Sequence, residues 1–289
     1  MHRLTEITTG IFVGTAEQYT TTTTVVADGD GGCLVIDPAV TVGDLAELAA
    51  DLRTLSLTPR AGFATHPHWD HVLWSSEFGD VPRYASAAAV AMAEREREGL
   101  IESVERAAPG HDLELYGRLT PLPAGVDSVP WGGPDARVVT HRGHAPGHSA
   151  VFFPGSGTLV VGDMCSDIEI PLLDLDQADA ANDYLAALDL LGALPVERVI
   201  PGHGHIGDAA EFRRRIEADV RYLDDLRAGR DSGDPRLATE WLATEHVRHA
   251  AVARRSEEEP GEDATSAPAS ARSAPSIACV SDPGITHAR

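Results

Sequence analysis

Short β-branched and apolar runs, broken by glycine-rich turns, dominate the first forty residues. GIFVG (10–14) reads as a strand. Thr20–Val26 and Cys33–Ile36 read as the two arms of a hairpin around Asp28-Gly29-Asp30-Gly31-Gly32, because β-branched side chains suit a pleated surface and glycine frees the turn. The period then changes: Leu45, Leu48 and Leu52 recur at helical spacing within residues 41–55. RAGFATH (60–66) is a short apolar strand that delivers a histidine at its C-terminal end, the end where α/β proteins place their chemistry. VPRYAS (81–86) predicts a strand and residues 87–107 one long helix ending before Pro109. Residues 108–135, rich in Gly and Pro, predict an excursion over the surface or a pocket wall.

Strand pattern returns in ARVVTHRG (136–143), SAVFFPG (149–155) and GTLVVGD (157–163), the last two joined through Gly155-Ser156-Gly157. A helix over 179–194, a strand in ERVIPGHG (197–204) and helices over 208–229 and 235–255 follow. From Ser256 the chain turns to Ser, Ala, Pro and acid, so residues 1–255 are expected to form one domain and 256–289 a disordered tail. Two runs of strands, each followed by helices, make an α/β protein.

Charge narrows the partners. Forty-five acidic against 23 basic residues give a formal net charge of −22, and every basic residue is Arg. Such a surface repels phosphates, so no nucleic-acid partner is expected. No apolar run reaches bilayer length and no secretory leader is visible, so no membrane is expected. Three cysteines at unrelated spacings, Cys33, Cys165 and Cys279, suit a reducing cytoplasm rather than a disulfide framework. The oligomeric state leaves no mark in the sequence.

The candidate chemistry lies in THPHWDHVLW (65–74), where three histidines and an aspartate crowd into six residues of a chain with 13 His in 289. Imidazole and carboxylate are the ligands zinc prefers, and a strand end turning into a helix start aims alternate side chains at one point. Partners are offered by His148 in GHAPGHS, Asp163 in VVGD and His203 in IPGHG, each beside a glycine that allows close backbone approach. The acidic turn at 28–32 has the look of a calcium loop, but its twelfth position is Ala39 where Glu is needed.

In this order, HxHxDH, PGHS, GD and PGHG, the chain resembles the metallo-β-lactamase superfamily over about residues 6–230. The resemblance implies a four-layer αββα sandwich of two mixed sheets with helices outside. It implies that His66, His68 and His148 hold a first metal, that Asp70, His71 and His203 hold a second, and that Asp163 bridges them. The expected cofactor is two Zn2+ per chain, with iron or manganese as other ions such ligands take. The expected activity is a hydrolase in which zinc-activated hydroxide cleaves an ester, thioester or lactone of a small molecule, Asp70 orienting the nucleophile and passing a proton to the leaving group. Aspartate rather than cysteine at the bridge resembles the thioesterase, lactonase and esterase branch, while the lack of Lys departs from the glutathione-binding glyoxalase II pattern. The alternatives are a mononuclear-iron oxidoreductase like the persulfide dioxygenases, and a β-lactamase-like amide hydrolase.

Around this set, Asp37 is a candidate to orient a ligand histidine or cap a turn. His144 and His205 are more simply structural neighbours of the ligands, Trp69 and Trp74 pocket wall or core, and Cys165 a small apolar filler. His111, His141, His246, His249 and His287 have no supporting context.

Overall fold

The computed structural model describes residues 3–38 and 40–258. A seven-stranded sheet takes chain order, β1 (Thr5–Thr8), β2 (Ile11–Thr15), β3 (Thr22–Ala27), β4 (Gly32–Ile36), β5 (Thr58–Phe63), β6 (Arg83–Ala85) and β7 (Thr120–Pro121). Helix α1 (Val42–Thr54) carries the chain over so that β5 pairs parallel with β4. After α2 (Ala87–Arg95) and α3 (Arg97–Ala107) comes a five-stranded sheet. Its strands are β8 (Arg137–Thr140), β9 (Ser149–Phe153), β10 (Thr158–Gly162), β11 (Arg198–Pro201) and β12 (Gly207–Asp208), ordered β12-β11-β10-β9-β8. Here α4 (Ala180–Gly192) makes the crossover that leaves β11 parallel to β10, and α5 (Ala209–Arg227) and α6 (Glu240–Glu258) complete the described chain.

The layers follow from alternation along each strand. Leu34 and Ile36 of β4 turn inward to meet Val151, Phe153, Val160 and Ile200 of the opposite sheet. Cys33 and Val35, one residue out of phase, turn outward under Leu45, Leu48 and Leu52 of α1. On the second sheet Phe152, Leu159 and Val199 pack against Tyr184 and Leu188 of α4 and Phe212 and Leu223 of α5. This is the expected αββα order. A separate cluster joins α2 and α3 to Trp69, Val72 and Leu73, directly beneath the histidine motif.

The short strands β1, β7 and β12 were not expected, and three further departures shape the fold. β3 begins at Thr22, because Tyr19 and Thr20 adopt left-handed backbone at φ 56° and 52°. The long helix at 87–107 breaks at Glu96 (φ −103°, ψ 14°), where polar EREREG interrupts the apolar stripe between Ala93 and Leu100. Arg97 opens α3 and donates to the carbonyls of Leu113 and Tyr116, which pins the Gly/Pro-rich excursion. That excursion also buries Val129 and Trp131 between the sheets. Third, residues 235–238 form a 3-10 turn and α6 starts at Glu240, running past the expected domain boundary at 255. Residues 259–289, most of the expected tail with Cys279 and His287, lie outside the described residues. Among the described residues no helix is long and apolar enough to cross a membrane.

Candidate metal centre

Parallel pairing brings the C-terminal ends of β4 and β5, and of β10 and β11, to one end of the sandwich. The residues that leave those ends are Asp37, Thr65–His71, Asp163 and His203, and the loop from β8 to β9 adds His141, His144 and His148 beside them. Close approach is built into two glycines. A Cβ on Gly202 would meet Asp163 Oδ1 at 2.2 Å, and one on Gly162, which has φ 53°, would meet His148 Nε2 at 2.5 Å.

Two groups of ligand-type atoms result, each within 4.8 Å of one another: His66, His68, His144 and Asp163, and next to it Asp70, His71 and His203. Asp163 faces both. Its Oδ1 lies 3.1 Å from His71 Nε2, and its Oδ2 lies 3.4 Å from His66 Nε2, 3.3 Å from His203 Nε2 and 3.5 Å from His144 Nε2. Asp70 Oδ2 is 3.3 Å from His203 Nε2. Tyr116 Oη, 3.1 Å from the Trp69 carbonyl, holds the turn that presents Asp70.

Six of the seven expected ligands are thus brought together, and His148 is not among them. Its Nε2 accepts from the Asp163 amide at 3.2 Å and its Nδ1 lies 3.3 Å from His141 Nε2, so both ring nitrogens are engaged away from the cluster. His144 stands in its place, with φ 68° and Nε2 2.9 Å from His68 Nδ1. The expectation for His148 is therefore corrected to His144: the motif's first histidine reaches the cluster, and its second stacks behind His66 at 4.8 Å between ring centroids.

The donor set fits a cation. Leu172 C=O accepts from His144 Nδ1 at 3.0 Å and Tyr19 C=O from His203 Nδ1 at 3.1 Å. Thr65 Oγ1 donates to Asp37 at 2.7 Å, so at 3.0 Å it accepts from His66 Nδ1. Each ring has its proton held on the outer nitrogen and turns a lone pair inward. His66 Nε2 and Asp163 Oδ1 are buried with no hydrogen bond, a costly state for polar atoms that a bound cation relieves.

Electrostatics divides the histidines. Burial pushes His66 well down and, with His144 adding repulsion, His68 down to about 3, so both rings are neutral at physiological pH. Burial also opposes charge on His71 and His203. There Asp163, seconded by Asp70 at His71 and by Glu169 at His203, outweighs it and lifts both well above the usual range. Burial would raise Asp163, but His203, His71 and His66 overcome it and keep the carboxylate ionised. The carboxylates at this centre call for positive charge.

Of the two roles open to Asp37, the contacts match the orienting one. Its carboxylate accepts from the Thr65 amide at 2.8 Å and lies 3.0 Å from His71 Nδ1. The threonine run, expected as plain strand, ties the site together: Thr22 Oγ1 donates to the Pro201 carbonyl and Thr23 Oγ1 to the Asp37 carbonyl. Two residues escaped sequence reasoning. Tyr19 lies edge-on to Trp69 and His203, at 6.0 and 6.5 Å between centroids, in a left-handed conformation that no motif announces. Glu169 is 9 % exposed with its amide on Ser166, and burial near Asp163 and Asp70 pushes its carboxyl up to about 7. The remaining candidates stand apart. His205 pairs with Asp167 at the surface, His111 lies 3.0 Å from the Val40 carbonyl, Trp74 packs under α1, and Cys165 is buried in the core against α4 and α5.

Comparison with known proteins agrees with this architecture. The family profile described as "Metallo-beta-lactamase superfamily" matches residues 17–203. The hydroxyacylglutathione hydrolase of Thermosynechococcus vestitus is 34 % identical over 203 residues, 68 % of this chain and 69 % of that one. A hydroxyacylglutathione hydrolase of Cereibacter sphaeroides is 32 % identical over 176 residues, 59 % of this chain and 60 % of its own length. Among solved structures, the metallo-beta-lactamase family protein TTHA1429 of Thermus thermophilus superposes with a TM-score of 0.65 at 19 % identity, over 88 % of this chain and 95 % of that one. TTHA1623, solved in a di-iron-bound form, gives 0.56 at 28 % identity over 71 % of this chain and 98 % of its own. With its motifs in family order on an αββα sandwich, the chain belongs to the metallo-β-lactamase superfamily.

Proposed function

We propose that the protein is a metal-dependent hydrolase holding two divalent ions, zinc in the first instance, and cleaving a thioester, ester or lactone of a small molecule. His66, His68 and His144 hold the first ion, Asp70, His71 and His203 the second, and Asp163 bridges them. The observation that carries this reading is the position of Asp163 between the two groups, with Oδ1 beside His71 and Oδ2 beside His66 and His144 on one side and His203 on the other. Ions bound there would polarise a carbonyl and lower the pKa of a shared water to near neutrality. Asp70, kept ionised as His71 and His203 outweigh its burial, has Oδ2 3.3 Å from His203 Nε2 and would take a proton and pass it to the leaving group. Tyr19, half-buried beside His203, walls the site for the acyl chain.

The relatives' name, hydroxyacylglutathione hydrolase, favours a thioester among the three bonds. Iron is the metal to score beside zinc, since TTHA1623 has been solved with two irons. The test is Asp163→Ala: metal analysis should show loss of bound ion and a thioester panel should show turnover collapse. Full metal content with undiminished turnover would sink the reading.

A further inference from the structure

The peptide between Leu172 and Leu173 lies in a stretch without regular structure, and two histidines grip it from opposite sides. On one side its carbonyl accepts from His144 Nδ1 at 3.0 Å. On the other its N–H donates to Nε2 of His249, on α6, at 3.4 Å. An amide N–H can only donate, so His249 Nε2 is the acceptor and the ring's proton sits on Nδ1. That Nδ1 lies 3.1 Å from Tyr222 Oη, whose own hydroxyl proton is then free for His246 Nδ1 at 3.2 Å. Every bond in the series His144, peptide, His249, Tyr222, His246 thereby has a donor and an acceptor.

We propose that His249 is a positioning residue for the metal centre: it fixes the plane of the 172–173 peptide and so the ring of His144, 105 residues earlier in the chain. The proposal rests on the reading of His144 as a ligand of the first ion. His249 is 2 % exposed and contacts none of the clustered side chains, so it reaches the centre through the 172–173 peptide. Groups that hold a metal-bound histidine's outer nitrogen set metal affinity by about 10–100-fold.

Zinc affinity by chelator competition, and stoichiometry by metal analysis, on the full chain with His249→Leu and His249→Gln test this. Gln supplies an amide oxygen that accepts from the Leu173 N–H; Leu supplies bulk alone. His249→Leu should bind the first ion about 10-fold more weakly, with the second unchanged and His249→Gln close to wild type. Wild-type affinity in a folded His249→Leu, or a His249→Gln as weak as His249→Leu, overturns the proposal. Should His249→Leu not fold, 15N histidine NMR of the wild-type protein decides: a proton on His249 Nδ1 with Nε2 bare supports it, and the Nε2–H tautomer overturns it. A wild-type chain that takes up no ion at all refutes the metal reading, a different result from either.

Discussion

His144 and His148 lie in one motif, GHAPGHS, each preceded by glycine and both buried, yet only His144 turns a bare nitrogen to the cluster. The choice is made by outer partners far away in sequence. Leu172 draws the proton of His144 outward, while the Asp163 amide and His141 occupy both nitrogens of His148. Sequence spacing contains neither fact, which is why the motif was legible and the histidine that joins the cluster was not. The contrast is testable by metal content. His144→Ala should lose one ion of the two. His148→Leu should keep both ions and bind them about 10–100-fold more weakly, since it loosens the backbone of Asp163 rather than removing a donor. If His148→Leu loses an ion and His144→Ala does not, the assignment reverses. Asp37 could be read as far as a choice between orienting a histidine and capping a turn; its contacts with Thr65 and His71, which lie far off in sequence, settle between them.

At the scale of elements, the longer strands were read with the right type because apolar alternation fixes which face is buried, and the four layers follow from it; the short β1, β7 and β12, two to four residues each, carry too little pattern to be read. The departures fall where tertiary contacts override pattern: the left-handed Tyr19-Thr20 pair whose carbonyls hold His203 and the Gly204 amide, and the Glu96 break that frees Arg97 to anchor the excursion. Helix α6 is a third case. A helix was expected over this segment, and His249 within it buries a titratable ring. Burial, with repulsion from His246 and Arg248, pushes that imidazole down to about 3. A folded-state value below the unfolded 6.5 means that the unfolded form takes the proton first. The docking of α6 is therefore fully supported above pH 6.5 and loses up to about 1.4 kcal/mol per unit as pH falls towards 3. Amide hydrogen exchange should show α6 protected at pH 7 and opening ahead of the sheets at pH 4.5, with the loss blunted in His249→Gln. Equal protection of α6 at both pH values would contradict this.

The whole molecule carries a formal charge of −22 and gathers five histidines and two aspartates at one end of its sandwich. Within that cluster His66 Nε2 and Asp163 Oδ1 are buried without a hydrogen bond, so an ion bound there should also appear as stability. Any ion that binds the native state alone adds about 2.7 kcal/mol at one hundred times its dissociation constant. In a domain of this size 1 kcal/mol moves Tm by about 2–4 °C. Chelation at pH 7.5 should thus lower Tm by about 5–10 °C for the loss of one ion, with zinc restoring it. Asp163→Ala, already unable to bridge two ions, should show little further drop. Acid should shrink the difference as well, because imidazoles bind metal only when deprotonated and protons compete for the same lone pairs. These three signs belong together: a chelator-induced fall that persists unchanged in Asp163→Ala would place the stabilising ion somewhere other than between His66, His144, His71 and His203. A Tm indifferent to chelator in the zinc-loaded wild-type protein would mean that the buried lone pairs are satisfied without a cation.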